Sequence, residues 1–114
     1  MDYSKLSDLE IAIMVGKHFP DYVTVYEDYA YKLIPCSSPA YTGVDYEEVD
    51  FDPCNNVNDA WGIILSNNIA ITPYRHSLPV AWPTAFGLTS KYAVEDQNPL
   101  RAAMIVFLML MGGD

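Results

Sequence analysis

The stretch that most constrains this chain is its last apolar run, Asn98-Pro-Leu-Arg-Ala-Ala-Met-Ile-Val-Phe-Leu-Met-Leu-Met-Gly112. Asn98 is suited to cap a helix, because its side-chain oxygen can accept an orphan N–H of the first turn. Pro99 then falls at the first helical position, where its fixed φ fits and its missing N–H is no loss. Gly112 can take up the left-handed conformation that closes a helix. Between them, Leu100 and Ala102 to Met111 are apolar all round. A helix of this kind has no face for water, so the rest of the chain must cover most of its sides. Arg101 is the one charge in the run.

The covering material is limited. With 114 residues the chain fits one domain, residues 1–114, with one real core. An apolar fraction of 51% against 18% charged residues indicates a folded chain rather than a disordered one. The net charge of −9 argues against a protein that binds duplex nucleic acid, which needs a basic stripe to displace counterions. It suits a soluble protein, a partner with a basic surface, or a mimic of nucleic acid. The charge is uneven: residues 1–57 hold three bases and eleven acids, residues 58–114 three and four. The acidic surface is therefore expected in the first half.

Cys36 and Cys54 have the number for one bridge, but one bridge does not mark a secreted scaffold, and both thiols are read as reduced. Met1-Asp-Tyr-Ser-Lys5 lacks the basic and apolar regions of a signal peptide. The terminal apolar run is about half the ~20 residues a bilayer span needs. These features predict a protein of the cytoplasm with no membrane contact.

The first helix has a full start signal. Ser7 and Glu10 form the S-x-x-E capping box, and Leu6 and Ile11 have the spacing of a hydrophobic staple. Ile11, Met14, Val15 and His18 fall on one helical face, with His18 at its rim, and Pro20 ends the helix near Phe19. Tyr22–Tyr26 and Tyr29–Ile34 alternate β-branched and aromatic residues and read as two strands joined at Glu27-Asp28. Four tyrosines cluster in this hairpin.

Residues 35–54 read as a long loop punctuated by Pro35, Pro39, Gly43 and Pro53. Within it, Asp45-Tyr-Glu-Glu-Val-Asp-Phe-Asp52 carries five carboxylates in eight positions. That is either a solvated acidic loop or an edge strand anchored by Tyr46, Val49 and Phe51. Hard cations take several oxygen ligands, but the run lacks the glycine-centred spacing of a calcium loop. A second helix starts at Asn55 or Asn56; with Asn56 as cap, Asp59 is its third residue and gives a capping-box analogue. Trp61, Ile64 and Leu65 then share a face, and Asn67-Asn68 closes the helix. Ile69–Thr72 follows as a third strand, and an edge strand is expected within Val80–Thr89, where proline is tolerated.

No compact catalytic signature is present: His18 and His76 have no metal-ligand partner at helical or hairpin spacing, and there is no nucleophile elbow, phosphate loop or H-E-x-x-H. A binding pocket is the sharper alternative. The second half collects Trp61, Tyr74, Arg75, His76, Trp82 and Arg101. A guanidinium can fork onto a phosphate or carboxylate, aromatic faces can stack on a base, and Arg101 stands where a helix start already favours an anion. The plainer alternative for Arg101 is an ion pair with Asp59 or another carboxylate that joins two helices.

Three blocks in order carry a family resemblance: Met1-Asp-Tyr-Ser-Lys-Leu-Ser-Asp-Leu-Glu-Ile11, Cys54-Asn-Asn-Val-Asn-Asp-Ala-Trp-Gly-Ile-Ile64 and Asn98-Pro-Leu-Arg-Ala-Ala-Met-Ile-Val-Phe-Leu108. They resemble the NinX-like family, small accessory proteins of tailed phages and prophages. Residues 20–53 and 73–97 are not matched one by one. The second and third blocks are similar, more loosely, to phage proteins described as an α–β–α sandwich domain. The resemblance implies helices packed on a small antiparallel sheet, and brings no established activity and no catalytic residues.

The expected fold is α+β, three helices packed on a small, mostly antiparallel sheet with the C-terminal helix central. The expected function is that of a non-enzymatic phage accessory protein in the cytoplasm of the infected bacterium. It would bind a host or phage protein, such as a defence enzyme to be inhibited, through Tyr46, Glu47, Glu48, Asp50 and Asp52. The alternative is sequestration of a nucleotide-like small molecule by Arg101, Asn55, Asn56, Trp61, Asp59, Tyr74, Arg75, His76 and Trp82. A metal-dependent enzyme using the 45–52 carboxylates is the weaker alternative. No cofactor is expected.

Overall fold

Capping fixes where the helices begin. In the computed structural model, which describes residues 2–37 and 44–112, α1 spans Asp8–Gly16. The Ser7 hydroxyl accepts from the Glu10 N–H, and the Glu10 carboxylate accepts from the Ser7 N–H, both at 3.1 Å. The reciprocal capping box is thus complete. A 3-10 turn, Tyr3–Lys5, precedes it. Helix α2 spans Val57–Ser66 with Asn56 as cap, and α3 spans Pro99–Gly112. The Asn98 side-chain oxygen accepts from the N–H groups of Leu100 and Arg101. Among the described residues no helix is long and apolar enough to cross a membrane.

Two expectations about the helix ends need correction. Helix α1 stops at Gly16 rather than near Phe19, because the N–H groups of His18 and Phe19 reach back only three residues, to Val15 and Gly16. Asp59 does not complete a capping box on α2. Asn56 caps the N–H of Asn58, while Asp59 turns inward and is buried against the Lys32 ammonium.

The strands form two sheets rather than one. The first has the order β1-β2-β3, with β1 Val23–Val25, β2 Ala30–Ser37 and β3 Val44–Asp50. The second has the order β4-β5-β6, with β4 Ile69–Thr72, β5 Val80–Pro83 and β6 Val94–Glu95. Every pairing is antiparallel. The 35–54 stretch is therefore not a long loop: its two described flanks are strands, with Tyr31 opposite Asp50 and Pro35 opposite Tyr46. The strand expected at an edge within 80–89 is instead β5, the central strand of the second sheet, paired on both sides; it ends at Pro83, where turns at Phe86 and Gly87 take over.

Helix α3 lies centrally. It packs against α1 and α2 on one side and against β4, β5 and β6 on the other, while α1 also covers β1 and β2. Ala102 to Leu108 are all buried, and Ile11, Val15, Ile64, Ile69 and Ala81 complete the core around them. Burying each large aliphatic or aromatic side chain contributes about 1.5–3 kcal/mol, so this contiguous run is the main source of stability. The first sheet sits on the outside of the helices, which leaves one of its faces to solvent.

A tyrosine and carboxylate face on the first sheet

Register and alternation decide which side chains share that face. The Phe51 N–H donates to the Ala30 carbonyl, so Lys32 opposite Val49 and Ile34 opposite Glu47 are the directly bonded pairs. Ala30, Val23 and Phe51 are buried and mark the inner face. Tyr31, Leu33, Glu48, Asp50 and Tyr46 then alternate to the outer face. Pro35 falls at a pair that is not hydrogen-bonded to β3, where its missing N–H interrupts nothing.

The outer face is aromatic and acidic. Tyr26, Tyr29 and Tyr31 stack, with ring centroids 4.7 Å apart for Tyr26 and Tyr29 and 5.9 Å for Tyr29 and Tyr31. The hairpin turn holds them together, as the Tyr26 N–H donates to the Tyr29 carbonyl at 2.8 Å. A hydrogen bond with Tyr31 raises the Tyr26 hydroxyl above the ordinary phenol range, with the charges of Tyr31, Tyr29 and Glu48 acting in the same direction. Tyr46 is 62% exposed and Leu33 53%, unusual values for large side chains on a folded sheet.

At the foot of the stack a groove of about 410 Å³ runs between α1 and the sheet, lined by Tyr29, Leu9, Asp8, Asp50 and Asp52. Two of its carboxylates have structural duties. Asp8 accepts from Asn55 and Arg101, and Asp52 accepts from Asn55. The Asn55 hydrogen bond first, and then Arg101, hold the Asp8 carboxyl below its usual range. The five residues singled out in the acidic stretch therefore divide. Tyr46, Glu48 and Asp50 share the outer face, Glu47 points to the other face, and Asp52 braces the start of α2.

The residues considered for a small anion lie elsewhere and in more than one place. Arg101 is held by Asp96 through Nε at 3.1 Å and by Asp8 through Nη1 at 2.7 Å, while Nη2 donates to the carbonyls of Ser4 and Leu6. Its carboxylate partners are thus Asp8 and Asp96, not Asp59. Asn55 and Asn98 extend this network, with Asn98 donating to the Cys54 carbonyl and to Asn55. Cys54 is free and fully buried, and burial pushes its thiol up to about 12. Trp61 is exposed on α2. Tyr74, Arg75 and His76 occupy the exposed connection between β4 and β5, and Trp82 donates its indole N–H across those strands to Thr72 at 2.9 Å.

Asp8, Asp96 and Lys32 are the residues sequence reasoning missed. One signal pointed to them: an arginine inside an apolar helix, or an acid inside a buried helix face, requires a counter-charge. Among the described residues no three His, Cys, Asp or Glu side chains converge as a metal-binding group.

Neither curated proteins nor solved structures give a match. The family model described as Bacteriophage P22, NinX matches residues 2–111, both sheets and all three helices included. The chain belongs to the bacteriophage P22 NinX family.

Proposed function

We propose that this phage accessory protein acts by binding rather than by catalysis, in the cytoplasm of the infected cell, and that its partner is a host or phage protein with a basic surface. The observation that carries this reading is the outer face of the first sheet. There three tyrosines stack beside Glu48 and Asp50, and Tyr29 also reaches the groove between α1 and the sheet that Asp8, Asp50 and Asp52 line. Tyrosine supplies large contact area at low entropic cost and is enriched at interface hot spots. Aromatic faces beside carboxylates suit the guanidinium and ammonium groups of a partner. Enzymes that act on nucleic acid, defence enzymes among them, present basic surfaces for the phosphate backbone, so an acidic face of this kind would compete for that surface. A nucleotide reading has less support, because the Arg101 donors are already engaged by two carboxylates and two carbonyls.

The test is affinity capture from phage-infected cells, followed by titration of the captured protein against variants. Glu48→Lys with Asp50→Lys reverses the outer face and should abolish capture. Glu47→Lys, on the opposite face, should leave it intact. Binding to the purified partner should weaken as salt rises, mainly through slower association. Capture that survives the outer-face reversal would remove this surface from the account.

A further inference from the structure

Strand β3 ends the first sheet, and among the described residues no strand pairs with its far side. The register decides which groups stand there. Glu47 and Val49 turn their N–H and carbonyl groups to β2, as the directly bonded partners of Ile34 and Lys32. Tyr46, Glu48 and Asp50 therefore turn theirs outward, away from β2. The same three residues carry their side chains on the tyrosine face. A strand added at this edge would set its own alternate side chains directly beside them.

The two edges of the sheet are protected by different means. Strand β1 covers β2 only from Ala30 to Lys32, and beyond it β2 and β3 continue as a two-stranded ribbon. On the β2 side of that ribbon, Pro35 occupies one of the positions whose N–H would point outward, and it has no N–H to offer. Proline is a common guard of an exposed edge. Strand β3 contains no proline, and the charges of Glu47, Glu48 and Asp50, all exposed, guard it instead. Charge is a selective guard. A second copy of β3 would bring carboxylate against carboxylate, which is unfavourable, whereas a basic strand would bring opposite charges together.

We infer that the β3 edge takes up an extended basic segment of the partner protein as a further antiparallel strand, with lysine or arginine side chains opposite Glu48 and Asp50. This rests on the reading of the partner as a protein with a basic surface, and adds to it the mode of contact. Main-chain pairing supplies affinity in such strand addition, and the alternate side chains supply specificity. In an antiparallel pair the residue opposite Glu48 exchanges both main-chain bonds with it, which places the two side chains on one face. Exposed Tyr46 offers its ring to the next basic side chain along the same face. The added strand also completes a structure that lacks one: two strands alone are marginal, and three with a covered face are not.

The probe is a synthetic peptide alternating lysine and threonine, as long as β3 and blocked at both ends, titrated into the full chain and followed by NMR. It should bind at least about tenfold more tightly than the same peptide with glutamate in place of lysine. Methylating the lysine backbone nitrogens removes the donors that face β3 and alters no charge; it should weaken binding at least about tenfold. Methylating the threonine nitrogens, which face away, should leave binding unchanged. The bound peptide should also slow exchange of the Tyr46, Glu48 and Asp50 amides at least about tenfold. Failure of the lysine peptide to bind at millimolar concentration overturns the proposal, as does equal binding of the two methylated peptides. So does a bound lysine peptide that leaves those three amides unprotected. None of these outcomes removes the outer face from the account, which falls only if its charge reversal leaves capture of the partner intact.

Discussion

Arg101 shows how one residue can organise a fold. The apolar helix that contains it offers no local partner, so its guanidinium reaches outward to three other parts of the chain. Asp96 lies just before the helix, Asp8 opens α1, and the Ser4 and Leu6 carbonyls belong to the segment ahead of α1. The planar fork suits this arrangement because it presents several donors at fixed angles. The Arg101 side chain is 12% exposed, whereas that of Asp8 is 43% exposed, so solvent screens one end of the pair. Arg101→Ala should lower stability by about 2–3 kcal/mol, less than for a fully buried pair, and the melting temperature by about 10 °C. Arg101→Lys should recover only part of this, since an ammonium cannot serve all four acceptors. The effect should depend on pH in a defined direction. Asp8 has its folded carboxyl held below the usual value, so it contributes stability that is present above about pH 4 and lost as pH falls through the folded value. The stability gap between wild type and Arg101→Ala should hold steady at neutral pH and narrow on acidification below about pH 4. Denaturant melts of both proteins across that range give the answer; a gap that widens in acid would assign the stabilisation to other groups.

At the level of elements, two helical glycines separate packing from propensity. Gly16 ends α1 against β1, and a Cβ there would lie 2.9 Å from a Val23 methyl and 3.0 Å from a Val25 methyl. Gly62 faces open space. Intrinsic propensity favours alanine at both by up to about 1 kcal/mol. Gly62→Ala should therefore stabilise the chain by about 0.5–1 kcal/mol, whereas Gly16→Ala should destabilise it because β1 must move away from α1. Thermal melts of the two variants would show opposite signs; equal signs would mean that β1 gives way easily. The same contrast explains what was legible in the sequence. The capping box at Ser7, the Asn56 and Asn98 caps and the buried body of α3 depend on residues close in sequence, and they could be read directly. Strand β3 was legible only as one of two alternatives, a solvated acidic loop or an edge strand, because its Glu47 and Glu48 are exposed on opposite faces and no apolar alternation decides between them. Pro35 compounded this by sitting in a strand at a position whose N–H is not needed. The pairs Lys32 with Asp59 and Arg101 with Asp8 join residues 27 and 93 positions apart, and no local pattern encodes such partners. Of the acidic stretch, the sequence indicated the exposed carboxylates but not which of them share the tyrosine face.

The whole molecule is elongated, 55 × 29 × 24 Å, with the base of the first sheet packed on α1 and the second sheet packed on α3. At the base, Ala30 and Phe51 are buried under α1. A few residues further along the same strands, Leu33, Ile34, Glu47 and Glu48 are all exposed, so both faces of the ladder meet water. A two-stranded ribbon with neither face covered is marginally stable by itself. Its backbone pairs should therefore open locally, without waiting for the core. Helix α3 has the reverse situation, enclosed by two helices on one side and three strands on the other. Its amides can exchange only when the molecule unfolds as a whole. Native-state hydrogen exchange should consequently find the Ile34 and Glu47 amides, which the register pairs directly, exchanging at least about a hundredfold faster than those of Met104 to Phe107. Added protein partner should slow the ribbon amides and leave α3 unchanged, because a ligand on the outer face stabilises only the state in which that face is formed. Equal protection in ribbon and helix would overturn this picture, since it would mean that the sheet and the core open together and that the ribbon is held by contacts as strong as those around α3.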